Sequence, residues 1–268
     1  DHSNFYDSER YQEQYGQRES LGAYTARTFL WMFLGLLVTF GVALGGYLTG
    51  VIVYVFAIPY FHIVLLVAEV AVVFFLSARI QHLSVPMARV LFFLYAGING
   101  IVFSAYFIIF DVLSLILVFG ATSLYFGVLA LYGHFTKTDL SRLRPILLGG
   151  LIFLLIFGIV SLFLPFLGAL DRVYCLIGIA VFLGFTAYDT QKIRAYYAFY
   201  SGDAAMLRKA SIFSALQLYL DFINLFLYLL RFLGRRKDRP ISIFFVKGID
   251  ILCEPAIISF VPAIAGAK

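Results

Sequence analysis

Seven apolar stretches, each near the length that crosses a bilayer, run through this chain at 26–49, 60–80, 86–109, 112–133, 145–166, 173–195 and 211–233. A hydrocarbon core of ~30 Å needs about 20 such residues when they are helical. Lipid offers no hydrogen bonds, so each span must satisfy its own backbone, and an open sheet edge is excluded. Composition agrees: 62% of the residues are hydrophobic and 13% charged, against roughly 25% charged in soluble proteins. The expected fold is therefore an all-α integral membrane protein, a bundle of seven transmembrane helices whose first partner is the lipid bilayer. Residues 1–24 read as a polar N-terminal tail, 25–235 as the membrane domain and 236–268 as a C-terminal extension. The start, "DHSNFYDSERYQEQYGQRES", holds no apolar region, so no cleavable signal peptide is expected there and the first span acts as the insertion signal.

The net charge of +5 does not point to nucleic acid, because in a polytopic protein Lys and Arg collect in cytoplasmic links. The link after span two holds Arg79 and Arg89, and that after span four Lys137, Arg142 and Arg144. The link after span six holds Lys192, Arg194, Arg208 and Lys209, whereas the links after spans one, three and five share only Arg172. Even-numbered links, and the N-terminus with them, are thus expected in the cytoplasm. The basic "RFLGRRKDR" after span seven opposes this pattern. Either the last span loops back without crossing, or the first six outvote it. The tail beyond is apolar but interrupted by Lys247, Asp250, Glu254, Pro255 and Pro262, which reads as interfacial or re-entrant. Cys175 and Cys253 fit neither a disulfide framework nor a metal spacing.

Few ionisable groups lie inside the spans: Glu69 in the middle of span two, Arg79 at its end, Asp189 late in span six and Asp221 in span seven. Such groups cost about 2.5–3.5 kcal/mol each on insertion scales and mark functional sites by default. Residues 189 and 221 are equidistant from residue 205, beside the turn "SGDAA". Antiparallel helices joined there hold both carboxylates at one depth, where they can face each other. Ser214, Gln217, Asp221, Asn224 and Tyr228 follow steps of three and four, so they share one face of span seven. That stripe is either a watery path or a hydrogen-bonded helix interface. Interior negative charge attracts cations. Two facing carboxylates cannot both ionise cheaply and so share a proton, and their hard oxygens suit Ca²⁺. Asp189 and Asp221 are accordingly the candidate calcium site, and Asp189, Asp221, Arg79, Glu69, Asn224 and Gln217 the candidate pH-sensing pathway. Arg79 either latches onto Asp189 or snorkels as an anchor.

"AYDTQKI" at 187–193, "ALQLYLDFINLFLYLLRFLG" at 215–234 and "EVAVVFFLSARI" at 69–80 resemble the Bax inhibitor-1 family, over roughly residues 20–235. The resemblance implies seven helices with the last one central. It also implies a pH-sensitive calcium-leak channel acting in calcium homeostasis, with paired aspartates at Asp189 and Asp221 and a latch arginine at Arg79. It implies no cofactor beyond calcium itself as permeant or bound ion. The short links suggest a bacterial member in the cytoplasmic membrane; relatives in endoplasmic reticulum or other organelles are the alternative.

An enzyme is not expected. His2, His62, His82 and His134 lie in the tail or at span ends, with no nucleophile–base or metal constellation among the spans. A proton- or cation-coupled transporter would also use paired carboxylates, but no broken-helix pair or inverted repeat is visible. A non-conducting scaffold remains the other alternative, and the sequence names no protein partner.

Overall fold

A computed structural model describes residues 19–58, 60–80, 82–235 and 237, and among them every element is helical. The expected polar tail, apart from its last residues, and nearly all of the C-terminal extension lie outside the described residues. Helix α1 spans Leu21–Leu48, α2 Val51–Ala57, α3 Phe61–Arg79 and α4 Val85–Ile109. Then come α5 (Val112–Phe135), α6 (Arg144–Phe163), α7 (Asp171–Tyr200) and α8 (Ala204–Leu233). Six helical segments among the described residues are long and apolar enough to cross a membrane: Leu21–Leu48, Val85–Ile109, Val112–Phe135, Leu140–Ser161, Phe166–Tyr200 and Ala204–Leu233.

Polar caps decide where these helices begin. Ser20 accepts a hydrogen bond from Ala23 N (3.1 Å) and starts α1 ahead of the expected 26. Asp111 accepts from Leu113 N and Ser114 N to start α5, and Asp203 accepts from Ala205 N and Met206 N, both at 2.9 Å, to start α8. Each side chain satisfies N–H groups that the first turn leaves unpaired. Helix α1 stops at Gly50, whose φ of 69° is left-handed, a conformation open to glycine at no steric cost.

Helices α7 and α8 have 30 residues each, about 45 Å at 1.5 Å per residue. They outrun the apolar stretches because a helix ends at its cap, not where its hydrophobicity ends. Lys192, Arg194 and Lys209, read from the sequence as link residues, therefore lie within regular helix.

Helices α1, α3, α5 and α6 turn large apolar side chains outward, among them Phe33, Leu37, Val67, Phe74, Ile116, Leu117, Leu124 and Ile156. Only lipid accommodates so much exposed apolar surface. Helix α8 is the opposite case: every residue from Lys209 to Leu230 is buried. It packs against α1, α4, α5 and α7. It also runs the length of the bundle rather than looping back. At its start Ser211 Oγ lies 3.0 Å from Thr28 Oγ1, near the beginning of α1. Past its end Arg235 O accepts from Asp111 N, and Lys237 N donates to Ile109 O (2.8 Å).

Two basic residues at that far end have partners. Arg231 pairs with Asp171 at the start of α7. Lys237 Nζ donates to Phe107 O at 2.9 Å and stands 5.6 Å from the centre of the Tyr47 ring. These contacts explain locally how two members of the basic cluster are held at the end of the bundle opposite Ser20.

Candidate functional site

Helix α7 is drawn against its neighbours at two glycines. A Cβ on Gly133 of α5 would meet Ala187 O at 2.2 Å, and one on Gly178 would meet the Tyr228 ring at 2.5 Å. Small residues at such points let membrane helices approach backbone to backbone. The approach at Ala187 lies two residues before Asp189, and fixes the depth and rotation of α7 there.

Asp189 is 8% exposed and Asp221 is 4% exposed. Each lies among the other's neighbouring charges. Asp189 and Lys192 act on Asp221, while Lys192 and Arg144 act on Asp189. Asp221 Oδ2 is buried and has no hydrogen-bond partner among the described residues. A buried oxygen left unpaired costs its desolvation, typically about 1–3 kcal/mol. The hydroxyls adjoining Asp189 do not relieve it: Thr186 Oγ1 donates to Phe182 O (2.8 Å) and Thr190 Oγ1 to Thr186 O (2.7 Å) within α7. Asp221 Oδ2 therefore offers acceptor capacity to a proton or a cation. Two carboxylates do not complete the six to eight oxygens that Ca²⁺ takes, and among the described residues no group of three or more His, Cys, Asp or Glu could hold a metal ion.

The face of α8 that carries Asp221 is buried throughout, with Ser214, Gln217, Asn224 and Tyr228 at 5% exposure or less. Tyr228 OH lies 3.1 Å from Tyr174 OH, which donates to Leu154 O. Phe40, Phe103, Phe119 and Phe226 stack around the same stretch of α8, with ring centres 4.8–6.4 Å apart. They form an aromatic layer between Asp221 and the end of the bundle where Arg231 lies. At the other end Arg27 pairs with Glu19 (2.8 Å) and Tyr197 OH donates to Glu19 O (2.7 Å).

Glu69 stands apart from the aspartates. It is 1% exposed, both its oxygens lack a hydrogen-bond partner among the described residues, and so do Tyr95 OH and Asn99 Nδ2. Its charge acts on Tyr95 and Tyr219, whose rings meet at 5.8 Å. Tyr219 OH lies 2.7 Å from Thr39 Oγ1. Tyr219 precedes Asp221 by two residues, about 200° around the helix, so the two polar clusters occupy different sides of α8. Arg79 is the last residue of α3 and is exposed; the cations that act on Asp189 are Lys192 and Arg144.

Within "YDTQKIR" the structure reveals three roles not legible in the motif. Gln191 Oε1 accepts from Leu140 N (2.9 Å) and its Nε2 donates to Thr138 O (2.7 Å). Arg194 Nη2 donates to Thr136 O (2.9 Å). Together they tie the α5–α6 link to α7. Lys192 Nζ stands instead over the Tyr188 and Tyr196 rings, 5.6 and 5.1 Å from their centres, and its charge acts on Asp189 and Asp221. The available signal was the i, i+3 spacing from Asp189, which places Lys192 on a neighbouring part of the same face.

Residues 21–238 match the family described as "Inhibitor of apoptosis-promoting Bax1". The chain is 40% identical to "Inner membrane protein YbhL" of Escherichia coli K12 over 222 residues, covering 82% of this chain and 94% of that one. It is 36% identical to the protein RP147 of Rickettsia prowazekii over 220 residues, covering 82% and 92%. It is 31% identical to the membrane protein SpyM3_0260 of Streptococcus pyogenes over 169 residues, covering 63% and 72%. With an all-helical fold that turns apolar side chains outward, this chain belongs to the Bax inhibitor-1 family of integral membrane proteins.

Proposed function

We propose that the protein is a pH-responsive leak pathway for cations, with Ca²⁺ as the permeant ion, gated by a proton shared between Asp189 and Asp221. Seven helices cross the membrane in this reading: the six noted above and α3, with α8 at the centre. The N-terminus faces the cytoplasm, and the membrane is the bacterial cytoplasmic membrane, in keeping with the name of the Escherichia coli relative. The protein conducts and performs no covalent chemistry.

The observation that carries the reading is an unpartnered, buried Asp221 oxygen on a helix buried along its membrane length, in a carboxylate on which the Asp189 charge acts. A shared proton lowers the cost of two neighbouring carboxylates. Its loss leaves two like charges, whose repulsion favours a wider path and whose oxygens attract a divalent ion. Gln217 and Asn224 then line the approaches, and the aromatic layer and the Glu19–Arg27 pair close the two ends.

The test is Ca²⁺ uptake by purified protein in dye-loaded liposomes between pH 6 and pH 8. Wild type shows pH-dependent uptake, and Asp221→Asn makes it independent of pH. Equal pH dependence in the two proteins would rule out the shared proton. Saturable uptake that requires a counter-ion would indicate a transporter instead.

A further inference from the structure

We infer that the short segment after α8, from Gly234 to Lys237, is a strap that locks the end of the bundle opposite Ser20, with Lys237 as its pin. The strap stands without the proposed function, and its effect on ion leak alone rests on that reading.

The strap answers a need of α4. A helix leaves its last four carbonyls without partners of its own, and such groups are costly to leave unpaired away from water. At the end of α4 the N–H of Phe110 takes Tyr106 O at 2.8 Å. Lys237 serves two more: its backbone N–H donates to Ile109 O (2.8 Å) and its Nζ to Phe107 O (2.9 Å). The last turn of α4 holds no basic residue of its own. The cation that complements the negative end of its dipole therefore comes from beyond α8.

The same segment grips α5 and α1. Arg235 O accepts from Asp111 N (3.0 Å) and Arg235 N donates to Ser114 Oγ (3.2 Å), so the start of α5 is held as well as the end of α4. The Tyr47 ring of α1 stacks on Phe107 with 5.3 Å between centres. The Lys237 ammonium stands over that Tyr47 ring at 5.6 Å, inside the ~6 Å range over which an aromatic face attracts a cation. Gly234 makes the crossing possible, because a Cβ there would meet Leu230 O and, at 2.9 Å, the Phe110 ring.

These bonds lie outside the helical ladders, so they can break without melting a turn. While they hold, the end of α8 cannot slide or turn against α1, α4 and α5 without stretching contacts of 2.8–3.2 Å. Released, they leave the last carbonyls of α4 to water and free the end of α8 to shift. Asp221 lies about 20 Å away along the same helix at 1.5 Å per residue, so the strap helps to set the resting position of the helix that carries it.

The test is hydrogen–deuterium exchange of full-length protein in lipid nanodiscs, read at single amides by fragmentation mass spectrometry. Lys237→Met removes the ammonium and keeps the stem. Exchange at Asp111, whose N–H is bonded to Arg235 O, rises about tenfold in K237M and stays within about twofold of wild type in K237R, the pattern of a lost charge-assisted bond. Ser114→Ala removes the acceptor of the Arg235 N–H and gives about a threefold rise at Asp111. Exchange at Ala205, capped by Asp203 at the opposite end, does not change. Unchanged exchange at Asp111 in both K237M and S114A overturns the proposal, and so does an equal rise at Ala205, which means general loosening. Ca²⁺ uptake by liposomes separates the strap from the leak: faster exchange with raised uptake supports both, and faster exchange with unchanged uptake supports the strap and counts against the leak alone.

Discussion

Gly133→Ala adds one methyl group at the closest approach of α5 to α7. Its Cβ would stand 2.2 Å from Ala187 O, with Ala187 C at 2.9 Å and Cα at 3.0 Å. These are backbone atoms, so no rotamer change relieves the clash. Ordinary contact begins at 3.4 Å, and the helices must part by about 1.2 Å to reach it. The Gln191 and Arg194 bonds across the same interface measure 2.7–2.9 Å. Stretched by that amount they approach 4 Å, beyond hydrogen-bonding range. Overpacking costs about 1–3 kcal/mol, and each lost hydrogen bond a further ~0.5–1.5 kcal/mol. With three bonds lost the total is about 2.5–7.5 kcal/mol, which corresponds to a drop of roughly 5–30 °C in melting temperature for a chain of this size. Cys175 is fully buried and reports unfolding. In a Cys253→Ser background, a maleimide dye that fluoresces on thiol reaction follows its exposure as detergent-purified protein is heated. A melting temperature within 1 °C of the parent would refute the claim that this contact sets the position of α7.

Gln191→Leu removes both bonds to the 138–140 link while keeping a similar volume. It should lower stability by about 1–3 kcal/mol and make Thr138–Leu140 more protease-sensitive in nanodiscs; an unchanged digestion pattern would count against the tether. Glu69→Gln keeps the shape of a fully buried side chain whose oxygens lack partners among the described residues. It should leave the melting temperature unchanged or raise it, by up to about 3 kcal/mol in stability, and a fall of several degrees would show that the carboxylate is partnered.

The helices were legible because lipid imposes one rule on every backbone group, and an apolar run of the right length obeys it in only one way. The turn at 201–205 was legible too, and it joins α7 to α8, the helices that carry Asp189 and Asp221. Helix lengths were less so: Asp203 starts α8 several residues before its apolar run, and a cap carries no hydropathy signal. The grouping of Glu69 with the aspartates reflected shared composition. Depth along a span is read from sequence position, but the side of α8 that another helix approaches depends on packing. Tyr219 and Asp221 illustrate the difference, being neighbours in sequence that look into separate polar clusters.

Lys192 shows a further limit of charge counting. In a link, a lysine beside Gln191 and Arg194 registers only as positive-inside bias. Once α7 continues to Tyr200, the same residue is a helical side chain with a fixed direction. Asp189, Gln191, Lys192 and Arg194 then project at about 100° per residue toward different neighbours. Gln191 and Arg194 hold the α5–α6 link, Lys192 stands over the Tyr188 and Tyr196 rings, and the Asp189 charge acts on Asp221 of α8. A rotation of α7 that moved Asp189 away from Asp221 would strain the link bonds on its other face. The link tethers therefore hold the rotation of α7 on which the position of Asp189 against α8 depends.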